Sequence, residues 1–140
     1  MEQFALDRFL PYVLSVTASR ISKEFASRYR TEFGLSIPEW RVLAHLSQAS
    51  EVSVREIHRK VDMDKSKVSR AATRLESAGY IHKVTDSADR RLVKLSLTPA
   101  GHDLIGRIIP IANAYQSELL TLLGDHEADF RAYLDKLVQR

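Results

Sequence analysis

Eight side chains carry the chemistry that this sequence offers. Lys65, Ser66, Lys67, Ser69, Arg70 and Arg74 crowd into ten consecutive residues, and Arg90 and Arg91 stand side by side in the stretch DSADRRLVKLSLT, residues 86–98. Cations and hydroxyls with few carboxylates between them recognise anions. Arg and Lys donate to base edges, Ser and Thr hydroxyls bond to bases or phosphates, and the negative potential of a narrow minor groove attracts a guanidinium. The chemistry these residues suit is recognition of duplex DNA. No P-loop, G-x-G-x-x-G, Ser-His-Asp or Cys-His arrangement points to catalysis.

Charge distribution agrees. The net charge of +3 over 140 residues is mild. From Ser53 to Lys94, however, eleven basic residues face six acidic ones, an excess of +5, whereas the remainder holds ten basic and twelve acidic residues, −2. Positive charge concentrated in the middle third is the electrostatic footprint of a polyanion-binding surface. The absence of cysteine excludes disulfides, thiolate metal sites and thiol redox sensing. The first residues, MEQFALDRFLP, have no basic stretch before an apolar core, and apolar runs such as Ile108–Ala112 are far too short to span a bilayer. A cytoplasmic protein without membrane contact is expected.

The elements that must position the cations follow from caps, stops and periodicity. Pro11 opens a helix of about six turns, with Val13, Val16, Ile21, Phe25, Tyr29 and Phe33 at helical spacing and Gly34 as its stop. One or two helical turns precede it around Phe4–Leu10. Pro38 opens a second helix carrying Trp40, Val42, Leu43 and Leu46. Ser53-Val54-Arg55-Glu56 is a capping box that starts a third, through about Val61. Asp64 caps a fourth, KSKVSRAATRLESA, stopped by Gly79. Tyr80–Thr85 and Leu92–Leu97 read as two strands joined by a turn at Asp86–Arg91. Thr98-Pro99 opens a long helix to about Leu123, which Pro110 should bend. Gly124 breaks it, and Asp125 caps a last helix with Phe130, Leu134, Leu137 and Val138.

The centre of the chain is thus a helix-turn-helix followed by a β-wing, in a mainly helical α+β fold. Within the fourth helix Val68, Ala71, Ala72 and Leu75 share one side and should pack inward. Ser66, Lys67, Ser69, Arg70, Thr73 and Arg74 fall largely on the other, and Glu76 is the only acidic residue after the cap. In a winged helix this second helix of the pair lies in the major groove. Asp89 is placed to orient a neighbouring arginine of the wing.

Asp89-Arg90-Arg91, the five residues LVKLS, then Leu97-Thr98 and Gly101 resemble the wing signature D-x-R-x5-L-T-x-x-G of the MarR (multiple antibiotic resistance regulator) family. DKSKVSRAATRLESAGYI is similar to that family's recognition helix, and IPEWRVLAHL and SVREIHRKVDM to the two helices before it. The resemblance runs over essentially the whole chain. It implies one winged-helix domain, with 36–98 as DNA-binding core and 1–35 and 99–140 as dimerisation helices. It further implies a homodimeric repressor of palindromic operators, released by a small phenolic or aromatic effector, with no cofactor. By carry-over, Arg91 would enter the minor groove and Arg90 would sit near phosphates. Ser66, Lys67 and Arg70 would face the major groove, with Lys65, Ser69 and Arg74 near phosphates or bases. The peroxide-sensing mode of one family branch has no cysteine to run on here.

Two other functions fit the same elements. A winged helix can serve protein–protein contact instead, which would suit a neutral or acidic reader face better than this basic one. A small enzyme would need convergent titratable groups. His102-Asp103 and Asp125-His126-Glu127 lack the i, i+4 histidine pairing of a zinc helix, so no metal site is expected. Trp40, Tyr12, His45 and Tyr115 suit a core better than an effector pocket.

Overall fold

Caps and stops set the frame of the computed structural model, which describes residues 2–139. A 3-10 turn at Leu6–Arg8 leads into helix α1 (Leu10–Phe33), with Pro11 in the first turn, where its missing N–H costs no ladder bond. Gly34 ends α1 at φ +67°, donating its N–H to the Arg30 carbonyl at 2.8 Å. Helix α2 (Ile37–Leu46) starts one residue before Pro38, because Ser36 caps it in a full capping box with Glu39. Strand β1 (Val52–Ser53) runs directly into helix α3 (Val54–Val61), where Ser53 Oγ accepts the Glu56 N–H at 3.1 Å.

Asp62 closes α3 in the left-handed region at φ +50°, and the turn Asp62-Met63-Asp64 leads to helix α4 (Lys65–Ser77). His58 Nδ1 lies 2.5 Å from the Met63 carbonyl; a carbonyl only accepts, so Nδ1 carries the proton. Asp64 stands at the N-cap position but makes no side-chain cap bond, contrary to the expectation from sequence.

Strands β2 (Ile81–Thr85) and β3 (Val93–Leu97) form the wing hairpin, pairing Ile81 with Leu97 and Thr85 with Val93. Each begins one residue later than expected. The carbonyls of Tyr80 and Leu92 are still bonded, to the N–H groups of Thr98 and Asp86. The unexpected β1 adds a third antiparallel strand beside β3, in the order β1-β3-β2. Helix α5 (Pro99–Leu123) is capped by Thr98 and continues unbroken past Pro110. Gly124–His126 then forms a 3-10 turn, and helix α6 (Glu127–Gln139) starts two residues beyond Asp125, which is therefore not its cap.

The core gathers the inner faces of α2, α3, α4 and the sheet around Leu43, Ile57, Val68, Leu75 and Leu95, all 1% exposed or less. Ile105 and Ile108 bring in the first half of α5. Phe25 binds α1 to the rest, with its ring 4.9 Å from Tyr29, 5.2 Å from Trp40 and 5.6 Å from Tyr115. The Arg28 guanidinium pairs with the Glu118 carboxylate and lies 4.9 Å over the Tyr115 ring, tying α1 to α5. That pairing holds Glu118 below the usual carboxylate range.

The two ends of the chain behave differently. None of the described residues of α6 is buried, and Phe4, Leu10, Tyr12, Leu122, Tyr133 and Val138 are all exposed. Among the described residues no helix is long and apolar enough to cross a membrane.

Candidate nucleic-acid interface

Helix α4 divides as its periodicity demands. Val68, Ala71, Ala72 and Leu75 are buried to within 1%, which leaves Lys65, Ser66, Lys67 and Arg70 exposed along the opposite side. Among the described residues none of those three cations has a carboxylate within ion-pair distance, so their charge is open to an incoming anion. Ser69 is half-buried, and its carbonyl accepts from Thr73 Oγ1 at 3.0 Å. Arg74 is the exception on this face: its Nε lies 3.3 Å from Glu39 Oε1, the same carboxylate that caps α2.

The wing turn is built by two aspartates. Asp86 Oδ1 accepts the N–H groups of Ala88 at 2.8 Å and Asp89 at 2.9 Å. Asp89 Oδ1 accepts the Arg91 N–H at 3.0 Å and holds Arg91 Nε at 3.4 Å. The Leu92 N–H returns to the Asp89 carbonyl at 2.9 Å, so Arg90 and Arg91 are the central pair of a β-turn. The Arg91 side chain is 87% exposed and anchored by Asp89. At about 3.3 Å per residue β2 alone is roughly 16 Å long, and the turn lies beyond the end of β2 that is farther along the chain from α4. The α4 cations and the wing arginines are thus two separate contact points on one scaffold. Lys83 Nζ donates to Thr73 Oγ1 at 3.2 Å and fixes the base of the wing against α4.

Asp86 is the keystone of the turn. The N–H groups of Asp89 and Ala88, and then Lys94, hold its carboxyl below the ordinary value. A lowered carboxyl pKa contributes stability that is in force at neutral pH and lost as pH falls through the folded-state value. Asp86→Ala should therefore leave the 86–91 turn disordered at neutral pH, with fast exchange of the Ala88 and Asp89 amides. Asp86→Asn, whose amide oxygen accepts the same two bonds, should keep them protected and remove the acid dependence. Equal protection in all three proteins would refute the keystone role.

Sequence reasoning missed two contributors to this surface, Glu39 and Lys83. Ser36-Ile37-Pro38-Glu39 has the S-x-x-E spacing of a capping box and was a usable signal for Glu39 as a cap. Nothing local to residues 36–39 signals its pairing with Arg74. Of the four aromatic-pocket candidates, Trp40 and Tyr115 pack on Phe25, and Tyr12 is exposed near the start of α1. His45 is half-buried, and burial, then Lys60, push its pKa down.

Known proteins share both sequence and arrangement. The sequence model of the MarR family matches residues 33–92, from the end of α1 through the wing turn. The HTH-type transcriptional regulator PapX of Escherichia coli is 29% identical over 91% of this chain and 81% of its own length. A MarR/EmrR family transcriptional regulator from Acinetobacter sp. ADP1 superposes with a TM-score of 0.84 at 29% identity, over 97% of this chain and 96% of its own. Bordetella bronchiseptica BpsR, whose DNA binding is regulated by 6-hydroxynicotinic acid, has the same fold, with a TM-score of 0.82 at 21% identity over 99% of each chain. With these relatives, the basic α4 and the aspartate-anchored wing, the chain is a winged-helix transcriptional regulator of the MarR type rather than an enzyme.

Proposed function

We propose that this regulator is a homodimeric repressor that grips a palindromic duplex site with α4 and the wing and lets go when a small aromatic or phenolic effector binds. The observation that carries this reading is the row of exposed cations on α4, without carboxylate partners among the described residues, beside a wing whose Arg91 is anchored by Asp89. Ser66, Lys67 and Arg70 meet base edges in the major groove, and Lys65, Ser69 and Arg74 lie near phosphates or bases. Arg91 enters the adjacent minor groove and Arg90 meets phosphate. Residues 36–98 form the DNA-contacting core of one domain, and 1–35 and 99–140 form its dimerisation helices. A repressor of this kind works in the cytoplasm, where the chromosome is. Binding to a generic duplex at two salt concentrations tests the first step: affinity should fall steeply with salt, as counterion release demands. Sequencing the DNA retained by the purified protein then tests for a palindrome.

The dimer has its own support. The exposed apolar side chains of the 3-10 turn, α1, α5 and α6 are too many for a soluble monomer to leave bare, and a two-fold interface would cover both ends of the chain together. Light scattering at micromolar concentration should give twice 15.9 kDa. A monomer mass across the micromolar range would sink the assembly and the palindrome with it.

Support for an effector comes from a cleft between α1, α2 and the α3–α4 turn, lined in part by Ser22, Lys23, Ile37, Arg41, Met63 and Lys67. Ile37, Pro38 and Met63 give it an apolar wall, and Lys23, Arg41 and Lys67 outnumber its two carboxylates, Asp62 and Asp64, a balance that suits an aromatic acid; Lys67 belongs to both the cleft and the reader face. The ligand-regulated DNA binding of BpsR adds a precedent within the fold.

A further inference from the structure

Glu39 does more than cap a helix. Its Oε1 accepts from Ser36 N at 3.3 Å and from Ser36 Oγ at 2.7 Å, and the same oxygen faces Arg74 Nε at 3.3 Å. The Glu39 side chain is only 14% exposed, so it is fixed, whereas Arg74 is half-exposed at the last turn of α4. Arg74 is therefore the one cation of the α4 face with a compensating carboxylate among the described residues, and that carboxylate belongs to a different helix. Among the described residues Lys65, Lys67 and Arg70 stand uncompensated.

We infer that Glu39 is a specificity-determining residue that withholds one positive charge per subunit from the sequence-independent attraction of DNA phosphates. This rests on the DNA-binding function proposed above. Non-specific affinity grows with the number of phosphates neutralised, and log K falls with log salt by about 0.9 for each. A cation already paired with an immobile carboxylate releases fewer counterions, and the carboxylate itself repels an approaching phosphate. Generic binding is thereby held down, while contacts that read sequence, through Lys67, Arg70 and Arg91, keep their full strength. Specificity is a ratio of affinities, so weakening the generic term raises it.

Glu39→Gln is a clean test, because glutamine serves a capping box as well as glutamate does. The variant should bind a random-sequence duplex severalfold tighter than wild type, with a salt slope steeper by about 0.9 per subunit. The ratio of selected-site to random-duplex affinity should fall. In an Arg74→Ala background the substitution should leave the salt slope unchanged, because no cation is then freed to neutralise a phosphate. A second measurement leaves α2 untouched: Arg74→Ala alone should cost less generic affinity and less salt slope than Lys65→Ala, which removes an uncompensated cation. The inference is overturned if Glu39→Gln leaves affinity and slope at wild-type values, if its slope increase persists without Arg74, or if Arg74→Ala and Lys65→Ala cost the same. Wild-type protein that shows no salt-dependent duplex binding would instead defeat the DNA-binding function itself, and this inference with it.

Discussion

Replacing Gly101 by alanine is expected to destabilise the protein by about 2 kcal/mol net, from a clash of about 3 kcal/mol, the upper end for forcing extra atoms into a packed site. A Cβ built on Gly101 would stand 2.0 Å from the Tyr80 carbonyl oxygen and 3.1 Å from Leu97 Cδ2. The oxygen cannot easily retreat. It accepts the Thr98 N–H at 3.0 Å, and Thr98 Oγ1 donates to the neighbouring Gly79 carbonyl at 2.7 Å while accepting the Gly101 N–H at 3.0 Å. These bonds clamp the start of α5 onto the exit of α4 and the root of the wing, so relief means prising the three apart. Helix propensity works in the other direction, favouring alanine by about 1 kcal/mol in a helix interior, and the clash outweighs it. Gly106, in the same helix with open space around its Cβ direction, is the control. Gly106→Ala should be neutral or gain up to about 1 kcal/mol. Urea unfolding at fixed protein concentration separates the two, and a Gly101→Ala protein as stable as wild type would show that the close approach is not rigid.

The largest effect on DNA binding is expected from Arg91→Ala. If each inserted guanidinium is worth about 1–3 kcal/mol, as for other specific base contacts, the loss is roughly 5- to 150-fold per subunit, with two subunits per site. Because groove potential rather than a unique base pattern attracts the side chain, the loss should be greatest on sites with A·T-rich flanks. Arg90→Ala should weaken all sequences about equally and lower the salt slope. Lys67→Ala, in the first turn of α4, should relax base preference inside each half-site. Titrations of selected sites with varied flanks, at two salt concentrations, distinguish these outcomes. Unchanged affinity and flank preference in a folded Arg91→Ala dimer would leave Asp89-Arg90-Arg91 with a purely structural part, closing the turn.

Much of this fold is legible in the sequence because the signals are local. Gly34 and Gly79 take positive φ where a helix must stop, and Ser53 and Thr98 bond to N–H groups three residues on. Burial of Val68, Ala71, Ala72 and Leu75 follows from their spacing alone, and their burial turns Lys65, Ser66, Lys67 and Arg70 outward. The turn at Asp86–Arg91 is equally local, since both aspartates bond to N–H groups two or three residues away.

Tertiary structure decided what depends on partners distant in sequence. Two residues are too few for strand alternation to register, and β1 exists only because Leu95 and Lys94 present a free edge to Val52 and Ser53. Asp64 and Asp125 have the right residue type to cap, but a cap also requires a side-chain oxygen that reaches the first N–H groups. Asp64 makes no such bond, and a 3-10 turn separates Asp125 from α6. The need for glycine at 101 is invisible until Tyr80 is brought against it, and the pairing of Glu39 with Arg74 spans 35 residues. Sequence spacing specifies which side of an element a residue occupies. Only packing specifies which other element meets that side, and so which charges on the reader face are left free and which are already spoken for.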